Sequence, residues 1–172
     1  YRNLGCHLAT GEAGARFAVW APNAQAVHVI GDWNGWHKGT ELKPRWDQSG
    51  IWEGEVKAVR RGHTYKFAIR NAHGHVEERA DPFAFYAEVA PRTASRAWSL
   101  DYDWGDADWM AGRHAKNALE APCSVYELHL GSWRRDPEHP GQLLGYRELA
   151  HQLADYVRET GFTHVELMPV TE

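Results

Sequence analysis

Arg16-Phe17-Ala18-Val19-Trp20 alternates its side chains, breaks at Pro22-Asn23, and the alternation resumes in Ala26-Val27-His28-Val29-Ile30. A period of two is that of a half-buried strand, and Pro-Asn between two such runs is turn chemistry. Gly31-Asp32 and the turn-rich Asn34-Gly35 close the second strand. Ile51-Trp52-Glu53-Gly54-Glu55-Val56 and Thr64-Tyr65-Lys66-Phe67-Ala68-Ile69-Arg70 repeat the pattern, and Asn71-Ala72-His73-Gly74-His75 supplies a hairpin tip before Val76. Short strands broken by turn signals, with no sustained helical period up to about Leu100, predict an antiparallel sandwich. Trp20, Phe17, Tyr65 and Phe67 are expected in its core.

The grammar changes further along. Asp101 to Ala118 is acidic, Trp-bearing and weakly patterned, and is read as a connection. Ser124 to Leu130 is a strand, and Gly131 to Leu144 a polar loop with Pro137 and Pro140. Tyr146, Leu149, Ala150, Leu153, Tyr156 and Val157 mark one face of a helix, and Gly161 stands where a left-handed cap is wanted. Phe162 to Met168 is a second strand, completing a βαβ unit. A closed (β/α)8 barrel needs about 250 residues, so Cys123 to Glu172 is expected to be only its first βαβ unit. The predicted fold is an all-β immunoglobulin-like sandwich (1–100), a linker (101–118) and an incomplete (β/α)8 barrel (119–172). The start on Tyr1 and the stop at Glu172 are read as cuts in a longer protein.

A net charge of −4 gives no basic footprint for nucleic acid or an anionic membrane surface. Cys6 and Cys123, far apart, are expected to be free, buried thiols. Without an apolar run of membrane-spanning length or a leader, the chain is expected to be cytoplasmic. A monomer is the expectation. Nine tryptophans are many for this length, and Trp33 and Trp36 fall among loop-forming residues.

Three strings carry a resemblance: Phe17-Ala18-Val19-Trp20-Ala21-Pro22-Asn23-Ala24, Gly31-Asp32-Trp33-Asn34-Gly35-Trp36 and Ala80-Asp81-Pro82-Phe83-Ala84-Phe85. Together they resemble the family-48 carbohydrate-binding module of bacterial glycogen branching enzymes. The second part continues the likeness in Val125-Tyr126-Glu127-Leu128-His129-Leu130-Gly131-Ser132-Trp133-Arg134-Arg135 and in Gly161 to Glu172. The first strings occur across the α-amylase superfamily, whereas Leu130-Gly131-Ser132-Trp133-Arg134-Arg135 and Pro169-Val170-Thr171-Glu172 look like branching enzymes in particular.

The resemblance implies transfer of a cleaved α-1,4-glucan chain to a sugar 6-hydroxyl through a covalent glycosyl-enzyme. That chemistry uses two carboxyl groups about 5 Å apart, which in this family come from later barrel strands. No catalytic residue is therefore assigned before Glu172, no cofactor or metal is implied, and the 172-residue chain alone is expected to be inactive. Glu127 and Glu166 read as sheet-face carboxylates paired with a neighbouring cation, Glu172 as a loop residue, and Arg134-Arg135 as structural or ion-paired; His73 and His75 belong to the hairpin tip. His129 stands near the end of its strand.

Sugar binding is the function these residues carry themselves. An indole face suits the axial C–H groups of a pyranose, so Trp33 and Trp36 are candidate platforms, with Asn34 and Lys66 as partners for hydroxyls. The related glycogen-binding domains of AMP-activated kinase β subunits place a second stacking Trp after the Tyr-Lys-Phe strand, where this chain has His73-Gly74-His75-Val76. The expected partner is α-1,4-glucan, as glycogen or linear maltodextrin. Two other readings remain open: a stand-alone glucan-binding module, and part of a hydrolytic relative such as a debranching enzyme or malto-oligosyltrehalose trehalohydrolase.

Overall fold

The computed structural model describes residues 3–11, 13–37 and 39–170. The chain divides into two compact units, Tyr1–Asp103 and Trp104–Glu172. Among the described residues the first contains ten strands: β1 (Gly5–Leu8), β2 (Ala13–Trp20), β3 (Ala26–Gly31), β4 (Thr40–Glu41), β5 (Lys43–Pro44), β6 (Ile51–Arg60), β7 (Thr64–Arg70), β8 (Val76–Arg79), β9 (Tyr86–Ala87) and β10 (Ser95–Arg96). They form two sheets, ordered β1-β2-β6-β5 and β4-β3-β7-β10-β9, and every pairing is antiparallel. β8 shares one edge of β7 with β10.

The alternation read from the sequence now acquires a direction. Phe17 and Val19 of β2 face inward with Val27 and Val29 of β3 and Tyr65 and Phe67 of β7. Phe17 meets Tyr65 edge to face, with ring centroids 5.0 Å apart, so aromatic contact joins the two sheets. Leu42 lies between β4 in one sheet and β5 in the other, and its side chain is fully buried where the chain crosses. The core is thus supplied by both sheets, as in a sandwich.

Trp20 departs from expectation. It follows Val19 by one residue, so its side chain takes the opposite parity and stands on the outer face of β2, 62% exposed. Membership of an alternating strand shows that half the residues are buried, without saying which half holds the tryptophan.

The second unit contains α1 (Ala107–Lys116), β11 (Val125–Leu128), a single turn α2 (Leu130–Trp133), α3 (Tyr146–Thr160) and β12 (His164–Leu167). Residues 107–116, read as connection, are helical. None of their side chains is buried, which removes the apolar stripe that betrays a helix in sequence, while Arg113, His114 and Lys116 suit the negative end of its dipole. β11 and β12 are parallel, with α3 as crossover, and Gly161 caps α3 at φ 79°. Tyr126 packs against Tyr156 and Phe162 at 5.2 and 4.9 Å, and donation from Trp133 Nε1 to the Tyr126 hydroxyl at 2.9 Å extends the cluster.

Cys6 is buried and free, and burial pushes its thiol up to about 12. Cys123 is exposed, contrary to expectation, because it precedes a two-stranded sheet that has little to cover it; its Sγ lies 3.7 Å from His164 Nδ1.

Candidate functional site

Trp33, Asn34 and Trp36 follow β3, and Lys66 pairs with Ile30 across β3 and β7. Asp32 fastens this loop to β7, because its Oδ2 accepts the Thr64 backbone N–H at 3.0 Å and the Thr64 hydroxyl at 3.3 Å. The Asn34 amide closes the loop upon itself. Its Oδ1 accepts the Gly31 N–H at 3.0 Å and its Nδ2 donates to the Val29 carbonyl at 3.4 Å. The chain then turns through two left-handed residues, Gly35 at φ 63° and Trp36 at φ 62°, and the Trp36 N–H donates to the Gly31 carbonyl at 2.9 Å.

This loop sends its two indoles different ways. Trp33 is half-buried against the core, beside Phe17, and stacks on His63 with centroids 5.9 Å apart. Its approach explains the preceding glycine: a Cβ on Gly31 would lie 2.3 Å from Trp33 Cζ3 and 2.4 Å from the Thr64 carbonyl oxygen. Trp33 Nε1 is buried without a hydrogen-bond partner among the described residues. Trp36 instead borders a shallow depression of about 360 Å³ with Lys66, Glu78, Glu88, Arg92 and Thr93.

The structure therefore brings Trp36 and Lys66 together, while Trp33 and Asn34 shape the loop from behind. Lys66 Nζ stands 3.9 Å from Glu78 Oε2, and Arg92 Nη1 stands 3.7 Å from Glu88 Oε1. One indole beside paired cations and carboxylates gives an apolar face ringed by donors and acceptors with little net charge. That suits a neutral polyhydroxylated ligand better than a phosphate or a polycation. Glu78, Glu88 and Arg92 are not singled out by sequence. Glu78 sits in the all-exposed β8, and Glu88 and Arg92 lie in irregular chain between β9 and β10, where periodicity carries no signal.

In the second unit, a recess of about 180 Å³ borders the C-terminal ends of β11 and β12 and includes His129, Tyr146 and Met168. His129 Nδ1 lies 3.1 Å from Ser132 Oγ. Glu127 and Glu166, both exposed, are register partners of one another rather than of a cation. Arg134 steadies its loop, with its guanidinium carbon 4.3 Å from the Trp133 ring centre and Nη1 donating to Gln152 Oε1 at 3.2 Å. Tyr1, Thr171 and Glu172 lie outside the described residues. Among the described residues, no group of three or more His, Cys, Asp or Glu is arranged to hold a metal, and no helix is long and apolar enough to cross a membrane.

Comparison with known proteins places this geometry. Residues 3–84 match the profile of carbohydrate-binding module 48, the isoamylase N-terminal domain. The chain as a whole matches the N-terminal region of bacterial proteins named 1,4-alpha-glucan branching enzyme GlgB. It is 60% identical over 174 residues to that of Albidiferax ferrireducens and 60% over 173 residues to that of Aromatoleum aromaticum, covering all of this chain in both. The Aquifex aeolicus protein is 47% identical over 175 residues. The chain spans 27% of the length of the first two and 28% of the third.

Among solved structures, the Group B Streptococcus pullulanase SAP superposes with a TM-score of 0.70 at 22% identity, over 99% of this chain and 24% of that one. A putative alpha amylase from Salmonella typhimurium gives 0.67 at 25%, over 98% and 25%. The pullulanase likeness shows the fold alone, independently of the closer sequence relatives.

Proposed function

We propose that this chain is the glucan-binding front part of a 1,4-alpha-glucan branching enzyme. The longer protein cleaves an α-1,4-glucan and passes the severed chain to a sugar 6-hydroxyl, making an α-1,6 branch, in the cytoplasm and as a monomer, with neither nucleic acid nor membrane as partner. Identity of 60% across every residue of this chain supports the assignment.

Residues 1–100 act as the carbohydrate-binding sandwich, 101–118 connect, and 119–172 open a (β/α)8 barrel. The parallel β11–α3–β12 unit supports the last of these. So do Val125, Val165 and Leu167, whose exposed apolar side chains suit neighbours supplied by further barrel elements. The acids that break and remake the glycosidic bond belong to that further sequence, so this chain supplies binding rather than chemistry.

The observation that carries the binding role is the convergence of Trp36 and Lys66 on one depression. A pyranose laid on the Trp36 indole would present hydroxyls to Lys66, Glu78 and Arg92, while Asn34 and Trp33 hold the loop in place. Retention on glycogen in native gels tests this reading. Trp36→Ala and Lys66→Ala, each compared with its own migration in plain gels, should be retarded less by glycogen than the parent chain is. Unchanged retardation of both variants would refute it.

A further inference from the structure

A second aromatic surface lies on the other side of the sandwich. Lys66 projects from the outer face of the sheet containing β3 and β7, since its neighbours Tyr65 and Phe67 are buried. Trp20 projects from the outer face of the sheet containing β2 and β6, because Phe17 and Val19 take the inward parity. The module therefore has aromatic residues facing outward on two opposite sides.

An isolated exposed tryptophan needs no explanation. Trp20 is distinguished by how it is held. Its Nε1 donates to the Ser49 carbonyl at 3.0 Å, so the polar edge is satisfied by protein while the residue stays 62% exposed. The turn is fitted to this contact. At Gly50, φ is 79°, and a Cβ there would come 2.6 Å from Pro22 Cβ and 3.3 Å from Trp20 Nε1. The same turn carries Trp46, which is 91% exposed. It is tied to β6 by donation from the Arg45 N–H to the Ile51 carbonyl at 2.8 Å, and Ile51 is the register partner of Trp20.

Polar groups are already organised beside these rings. Glu53, on the same outer face, accepts Arg45 Nε at 3.2 Å and Arg45 Nη2 at 2.8 Å, and Arg16 Nη2 at 2.5 Å. Two guanidiniums clamped on one carboxylate have little rotamer freedom left to lose when a ligand arrives, yet keep unused N–H donors. The two guanidiniums share this carboxylate, so the cluster carries one net positive charge and both cations are held by it, unlike the free cations of a phosphate site. A pinned indole beside fixed, carboxylate-paired hydrogen-bonding groups fits a sugar chain.

We propose that the outer face bearing Trp20 and Trp46, with Arg45 and Glu53, is a second contact surface for α-glucan, opposite the Trp36–Lys66 depression. The choice of glucan as occupant rests on the glucan-binding role proposed above. With two faces, one module holds two glucan chains, or two stretches of one chain. The second attachment then gains from the raised local concentration that the first provides.

The test is a maltoheptaose titration of the 172-residue chain followed through its tryptophan indole N–H resonances, assigned by single substitution. Trp20 and Trp46 signals should move together, and in Trp36→Ala they should still move. Trp46→Ala, at a site too exposed to disturb folding, should weaken the response at Trp20 about tenfold while leaving that at Trp36 intact. A response at Trp36 alone overturns the second surface and leaves the first reading standing. Loss of the Trp20 response in Trp36→Ala overturns it too, because it would mean one site. Silence at all three tryptophans overturns both.

Discussion

Tyr65 donates its phenol to Asp81 Oδ2 at 2.6 Å inside the sandwich, joining β7 to the turn that follows β8. Asp81 Oδ1 accepts the Phe83 N–H at 2.8 Å, and the Asp81 N–H donates to Ser95 Oγ at 2.9 Å. Burial raises the Asp81 carboxyl above its ordinary 3.8, against the opposing effects of these donors. A raised acid stabilises the fold most below its unfolded value, and that contribution is lost as pH rises through the folded value. Tyr65→Phe strands a buried acceptor and should cost about 1–3 kcal/mol in urea unfolding at pH 7. Asp81→Asn keeps an acceptor for Phe83 and removes the buried charge, so it should cost less than Tyr65→Phe. The reverse order would show that the carboxylate itself is needed.

Glu53 behaves with the opposite sign. Hydrogen bonds from Arg45 first, then Arg16, hold its carboxyl down at about 2, from an ordinary 4.5. Its contribution is therefore complete above the ordinary value and disappears as pH falls towards about 2. Glu53 remains partly exposed, so solvent screening limits the gain to about 1 kcal/mol. Glu53→Gln should melt below the parent chain at pH 6, and the gap should close as the pH falls from 4.5 to 2.5. A gap of constant size would remove ionisation from the account.

Gly31 is required by contact rather than by backbone conformation. Its extended φ of −176° is open to any residue, yet a Cβ would meet the Thr64 backbone carbonyl, which cannot swing aside as a side chain can. Gly31→Ala should lower stability by about 1–3 kcal/mol, the usual cost of overpacking. Displacement of Trp33 should also change the intrinsic fluorescence of the folded state. A melting temperature equal to the parent's would show that the loop relaxes freely.

The sandwich and the βαβ unit are legible in the sequence because each residue pattern has one structural period: two in Thr64 to Arg70, 3.6 in Tyr146 to Val157, with Gly161 punctuating the end. Facing is less legible. Trp20 continues an alternating run, but the run does not say which parity the core takes until β6 and β7 are placed around it. α1 escaped because a helix without a buried face has no apolar stripe to read. At the candidate site, the Gly31 to Trp36 string marks the loop, but the inward turn of Trp33 and outward turn of Trp36 come from two consecutive left-handed residues. The acidic rim at Glu78 and Glu88 is assembled by chain folding from segments with no common motif.

Trp36 itself makes the last prediction. A bulky side chain at φ 62° costs about 1–2 kcal/mol relative to glycine, because its Cβ crowds the following carbonyl. Glycine would escape that cost while giving back part of it through its freer unfolded chain. A tryptophan retained there for packing should therefore be missed on replacement. One retained for ligand contact should be replaceable without loss of stability. Trp36→Gly should melt at or above the temperature of Trp36→Ala, which keeps the strain without the ring, and both should lose glycogen retention alike. If Trp36→Gly instead falls well below the parent chain, the indole braces the sandwich, and the depression it borders loses its claim to a sugar.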